Sequence, residues 1–202
     1  MADNVSITEG SGTEIAADEI GSPPVKFQKV KITHGVDDTA DNAVFGAGLP
    51  VDAGDNFLVQ VAPTVTAGAY TADDCIGGEM TISAAARASG KGGTLVGITM
   101  ASKATVAAFD VEVLIFDANP AGTYTDNTAL AVTAADAFLL LEAVLLDKLS
   151  DLGTPTMLTA RNLNIPYVCD GSADLFAVAV NRSAFTPAST SDLQFTFHLI
   201  RD

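Results

Sequence analysis

From Asn56 onward, apolar residues recur at every second position in short runs divided by turn-forming residues. That period places alternate side chains on opposite faces of an extended chain and predicts strands. They fall at 57–62, 78–84, 94–102, 107–117, 141–147, 157–163, 174–181 and 193–201. The alternation is cleanest in two runs. In 107–117, Phe109, Val111, Val113 and Ile115 share a face opposite Asp110, Glu112 and Leu114. In 193–201, Leu193, Phe195, Phe197 and Leu199 oppose Gln194, Thr196, His198 and Ile200. Turn chemistry separates the runs at Gly90-Lys91-Gly92-Gly93, Asn119-Pro120, Asp170-Gly171 and Thr186-Pro187. One helical interruption is predicted at AADAFLLL. There Thr133 and Asp136 have capping-box spacing, with Asp in place of Glu, and two helical turns would fit. Eight strands and one short helix predict an all-β fold, an antiparallel β-sandwich with the jelly roll as leading topology.

The first 55 residues have a different pattern. Residues 1–24 are rich in Gly, Ser, Thr, Asp and Glu, with Val5, Ile7, Ile15 and Ile20 too sparse for a core. After Pro23-Pro24, VKFQKVKIT (25–33) reads as one strand. Its apolar positions Val25 and Phe27 are out of phase with Val30 and Ile32, which predicts a bulge or twist near Gln28–Lys29. The turn-rich stretch 34–56 closes this region. The expected organisation is an extended N-terminal arm, 1–55, followed by the sandwich, 56–202. A lone strand cannot fold by itself, so the arm strand must be completed by another strand or another chain.

Charge narrows the partners. Twenty-five acids oppose ten bases over 202 residues, a formal net charge of −15. A nucleic-acid binder needs a basic footprint, so neither nucleic acid nor an anionic membrane is an expected partner. A mean hydropathy of +0.32 excludes a disordered chain, and no run approaches the roughly 20 apolar residues of a membrane span. The opening residues have neither the basic nor the apolar segment of a signal peptide. With only 17% charged residues, the chain has less surface charge than a monomer usually carries, a pointer to self-association. Three of the ten bases, Lys26, Lys29 and Lys31, lie within six residues. They either protect an edge strand or dock it onto an acidic partner.

Catalytic and metal chemistry find little support. No G-x-S-x-G or H-E-x-x-H motif is present, and no Cys lies beside a His. His198 is expected to face solvent or an interface, and His34 to serve in a turn. Ser89–Gly93 leads into a strand, so a hairpin turn explains it better than a phosphate loop. Asp37, Asp38, Asp41 and Asn42 lack EF-hand spacing, and Asp73-Asp74 is isolated; solvated acidic turns are expected at both, not calcium. Cys75 and Cys169 are expected as reduced, buried thiols, with a disulfide or inter-subunit link as the alternative. No cofactor, no metal and no enzymatic activity are expected.

Two stretches resemble known sequences. ADNVSITEGSGTEIAADEIG, then VKFQKVKITHGVDDTA and LPV at 49–51, is similar to the N-terminal segment of tailed-bacteriophage virion proteins. That segment is a Gly/Ser/Thr-rich arm, a Q-[RK]-V-K strand and a G-x-D-G-like turn; here Asp38 stands where that turn has Gly. LIFDANPAGTYTDNTAL, TAADAFLL and LQFTFHLIRD resemble phage structural β-sandwich domains. The resemblance implies a capsid cement (decoration) protein, often a homo-trimer, assembled in the host cytoplasm and placed on the capsid exterior. Its implied partners are the major capsid protein and further copies of itself. The partner-binding residues expected in the arm are Val5, Ile7, Val25, Phe27, Lys29, Val30, Lys31 and Ile32. The alternative is an adaptor or fibre-base protein of head or tail, possessing a glycan-binding sandwich in one version. Without Trp, and with only Tyr70, Tyr124 and Tyr167, an aromatic sugar platform has poor support.

Overall fold

The computed structural model describes residues 17–20, 25–28, 33–34, 41–42, 55–103 and 110–202. The chain divides into two units, Met1–Val51 and Asp52–Asp202. In the first, β1 (Ala17–Ile20) pairs antiparallel with β2 (Val25–Gln28), setting Ile20 opposite Val25 and Asp18 opposite Phe27. A second short pairing joins β3 (Thr33–His34) to β4 (Asp41–Asn42). Of the expected strand over 25–33, Val25–Gln28 is β2 and Thr33 falls in β3, while residues 29–32 lie outside the described residues. Thr33–His34 pairs with Asp41–Asn42, a different segment from the partner of β2. One edge of β2 is completed within the chain itself.

The second unit contains β5 (Asp55–Val61), β6 (Cys75–Ile82), β7 (Gly92–Ser102), β8 (Val111–Phe116), β9 (Leu140–Leu146), β10 (Lys148–Asp151), β11 (Thr156–Val168), β12 (Leu175–Asn181) and β13 (Leu193–Arg201). They form a five-stranded sheet, β10-β11-β7-β13-β5, and a four-stranded sheet, β6-β12-β8-β9. Every pairing is antiparallel. β5 pairs with β13, β6 with β12, β7 with β11 and β8 with β9. The pairs are nested from the ends of the unit inwards, as in one long hairpin wrapped around a core, which is the jelly roll.

The alternating runs build that core. Leu193, Phe195, Phe197 and Leu199 are all buried, and the Phe195 and Phe197 rings stack with centroids 6.4 Å apart. Opposite them, Val111, Val113 and Ile115 of β8 pack with Ile76, Met80 and Ile82 of β6. Burying each such side chain contributes about 1.5–3 kcal/mol. Phe109 lies outside the described residues.

Two local expectations change. β6 begins at Cys75 instead of residue 78, because Gly77-Gly78 is a bulge within the strand. Both glycines have positive φ, and the register shifts there against β12. The helix at AADAFLLL shrinks to one 3-10 turn, Asp136–Phe138. Leu140 onward is claimed by the ladder with β8, which supplies more partners than an isolated two-turn helix could.

The connection between β8 and β9, residues 117–139, folds back over the outer face of the four-stranded sheet. It seals a second apolar cluster that includes Leu114, Phe116, Tyr124, Phe176 and Val178. That sheet is thus covered on both faces, and all seven residues of β12 are buried. This accounts for the unbroken apolar run of LFAVAV, where no alternation is needed. The outer face of the five-stranded sheet is different. Its outward residues Asn56, Leu58 and Gln60 are exposed, and Thr196 and His198 are half-buried.

Candidate functional site

The partner-binding residues expected in the arm divide into two groups. Val25 and Phe27 lie in β2, paired with Ile20 and Asp18. Val5, Ile7, Lys29, Val30, Lys31 and Ile32 lie outside the described residues. Lys26 stands opposite Glu19 in the register of β1 and β2.

In the sandwich, the half-buried and buried carboxylates fasten loops. Asp126, from the 117–139 connection, accepts hydrogen bonds from Thr66 N (2.7 Å), Thr66 Oγ1 (2.7 Å), Tyr70 OH (2.6 Å) and Gly77 N (2.5 Å). Burial alone would raise its carboxyl, but these four donors outweigh burial and hold it below the usual carboxylate range. The same arrangement, with burial foremost, raises the Tyr70 hydroxyl. Asp136 is fully buried and accepts from Ala121 N (2.8 Å), Gly122 N (2.9 Å) and Tyr124 OH (3.0 Å). Thr133 Oγ1 receives the Asp136 N–H at 3.1 Å, so one half of the anticipated capping box forms. The Asp136 carboxylate turns instead to the 121–124 segment. Its pKa is lowered, hydrogen bonds again overcoming burial, while burial and Asp136 together push Tyr124 up to about 12.

The acidic pair expected as a solvated turn is also engaged. Asp74 accepts from Thr71 N at 2.7 Å and Thr71 Oγ1 at 2.8 Å, and Asp73 pairs with Arg182, which also holds Glu112. Among the described residues, no three His, Cys, Asp or Glu side chains are grouped to hold a metal ion. Asp37 and Asp38 lie outside those residues. Cys75 and Cys169 are both buried free thiols, as expected. Burial, with nearby carboxylates, pushes each up to about 11, so both stay protonated at neutral pH.

A groove on the five-stranded sheet is made by two irregular ladders. Across the outer face of the five-stranded sheet, Leu58 of β5, His198 of β13, Gly97 of β7 and Arg161 of β11 stand in one row. Beside this row, both ladders of β7 lose register. Val96 is left without a partner, while Asn162, Leu163 and Asn164 bulge from β11. Asn162 and Asn164 take up the left-handed conformation, which Asn tolerates better than most residues. The result is a groove of about 390 Å³ lined by Val96, Gly97, Thr99, Arg161, Asn162 and His198. A Cβ on Gly97 would come 3.2 Å from the Ala160 carbonyl oxygen, so the glycine keeps the floor low. His198 is half-buried on the face opposite the phenylalanines, as its strand position implies. Sequence reading did not single out Arg161 or Asn162. The Asn-Leu-Asn spacing was the available signal for left-handed bulge residues.

No protein-family model and no curated protein matches the sequence. In structure, the chain is weakly similar to a chain of the native virion of Kashmir bee virus at acidic pH. That match has 11% identity, 98% of this chain and 93% of the other covered, and a TM-score of 0.24. At neutral pH the figures for that virion are 10%, 99%, 93% and 0.24. These weak neighbours are virion chains, and at that level of likeness they carry no weight on function.

Proposed function

We propose that this chain is a non-enzymatic structural protein of a virion, a cement protein that binds the outside of a tailed-phage capsid and stabilises it. The observation that carries the reading is the joining, in one chain, of a jelly roll to a separate N-terminal unit whose sequence resembles phage attachment arms. The use of polar groups in the sandwich agrees with it. Asp74, Asp126 and Asp136 are all engaged in fastening the fold. In this reading the arm pairs with the major capsid protein. Its backbone hydrogen bonds and the Val, Ile and Phe contacts offset the entropy of ordering it. Lys26, Lys29 and Lys31 steer it towards an acidic surface. Self-association, with a trimer as the expected state, multiplies modest individual contacts through effective concentration. A net charge of −15 suits a position outside the shell, away from packaged nucleic acid.

The test is the copy number of the chain in purified particles, together with co-sedimentation of added protein. The expected result is many copies per capsid, and loss of binding when residues 1–33 are deleted while the sandwich keeps its melting transition. A chain absent from particles, or confined to a few copies at the tail, overturns the cement role. Undiminished binding after the deletion overturns the role of the arm.

A further inference from the structure

The two sheets of the jelly roll are finished differently on the outside. The four-stranded sheet is closed by residues 117–139, whereas the five-stranded sheet presents its outward row with Leu58 59% exposed. The charges on that second face are unusual for a chain of net −15. None of the outward side chains of β5, β13, β7, β11 and β10, those alternating with the core positions, is Asp or Glu. Its charged groups are Arg161 and Lys148. Asp55 and Asp151, at the strand ends, fall on the core-facing phase, and Asp55 is held by Arg201 at 2.7 Å. Arg182 and Arg201 both hold carboxylates, but Arg161, in the wall of the groove, has no carboxylate partner among the described residues.

We propose that this acid-free face is the surface that the sandwich lays on an acidic patch of the capsid shell, with a shell carboxylate entering the groove to pair with Arg161. The inference rests on the reading of the chain as a capsid-binding protein and adds a second point of attachment to the arm. Charge complementarity selects the partner. Among the described residues, the outward side chains of these five strands offer an acidic surface Arg161 and Lys148 and no carboxylate. Size fits a supporting role. Five strands about 4.8 Å apart and about 25 Å long make a face of roughly 500 Å². That is less than the ~800 Å² per partner of a stable interface. The face therefore works with the arm, not in place of it. Leu58, at one end of the row, adds exposed apolar area that the contact would remove from water.

The experiment uses the full chain and purified particles lacking it, with binding measured by co-sedimentation. R161E and L58D alter the face at exposed positions; K91E makes the same charge change as R161E in the exposed Gly90 turn. Thermal melts of all three should match the wild type. At low salt, R161E and L58D are expected to weaken particle binding about tenfold, and K91E less than about twofold. The R161E loss should narrow at high salt, where screening removes the charge contribution. Wild-type binding by R161E and L58D overturns the proposal, as does an equal loss with K91E. So does a lowered oligomeric state with unchanged particle binding, which would make the face a contact between copies. If the wild-type chain itself fails to bind particles, the capsid-binding reading falls instead.

Discussion

Asp126→Ala removes the fastening between the 117–139 connection and the start of the sandwich. The carboxylate takes four hydrogen bonds, two from Thr66 and one each from Tyr70 and Gly77, across sequence separations of 49 to 60 residues. A hydrogen bond to a charged group is worth about 1.5–3 kcal/mol when well buried. Asp126 is half-buried, so about 1 kcal/mol each is the reasonable value. Because the four share one acceptor they do not add fully, and a loss of about 3 kcal/mol follows. The Tyr70 hydroxyl, on a residue 1% exposed, is left without its acceptor, which favours the upper part of that range. For a unit of about 150 residues this lowers Tm by about 6–12 °C. Thermal unfolding at pH 7, followed by circular dichroism, measures it. The pH dependence gives a second check. The folded pKa of Asp126 is lowered, so its contribution is fully present above the unfolded value of about 4 and is lost as pH falls through the folded value. The gap between variant and wild type should therefore shrink in acid. A Tm change under 2 °C at pH 7, or a gap that grows on acidification, refutes the assignment.

Other substitutions test other levels of the structure. Phe197→Ala, at a fully buried position of β13, should cost about 3–5 kcal/mol in a urea titration, with Phe195→Ala similar. Gly77→Ala places a Cβ 2.2 Å from Pro63 Cβ at a φ of +72°, whereas Gly90→Ala, at +73°, meets nothing within 4 Å. The second should cost about 1 kcal/mol and the first clearly more; equal losses would contradict the bulge geometry. Cys75 and Cys169 should resist a thiol reagent at pH 8 until the protein unfolds, and then both react. Since their folded pKa values are raised, their contribution to stability is intact below about pH 8.5, the ordinary thiol value, and declines as pH rises towards about 11.

Period-two alternation placed all eight strands of the jelly roll. The unequal partners of β13 are visible in its own letters, with phenylalanines on one phase and Gln, Thr and His on the other. Lys148–Asp151 was missed because four residues with one apolar side chain carry no period; its ladder with β11 makes it a strand. The bulges at Gly77-Gly78 and Asn162–Asn164 were not legible in sequence, since a residue suited to positive φ is the same residue in a turn and in a bulge. The uses of Asp126 and Asp136 were equally hidden, because their donors lie 12 to 60 residues away. The candidate docking face divides in the same way. Alternation alone showed that Thr196 and His198 point away from the core. Strand order, which local sequence does not encode, set Leu58, His198, Gly97 and Arg161 in one row. The sequence by itself determined which side chains turn inward, because that follows from a two-residue period and the cost of leaving apolar surface in water. The tertiary structure alone decided which outward residues become neighbours and which sheet keeps an open face, because both depend on long-range pairing and on where the 117–139 connection comes to rest.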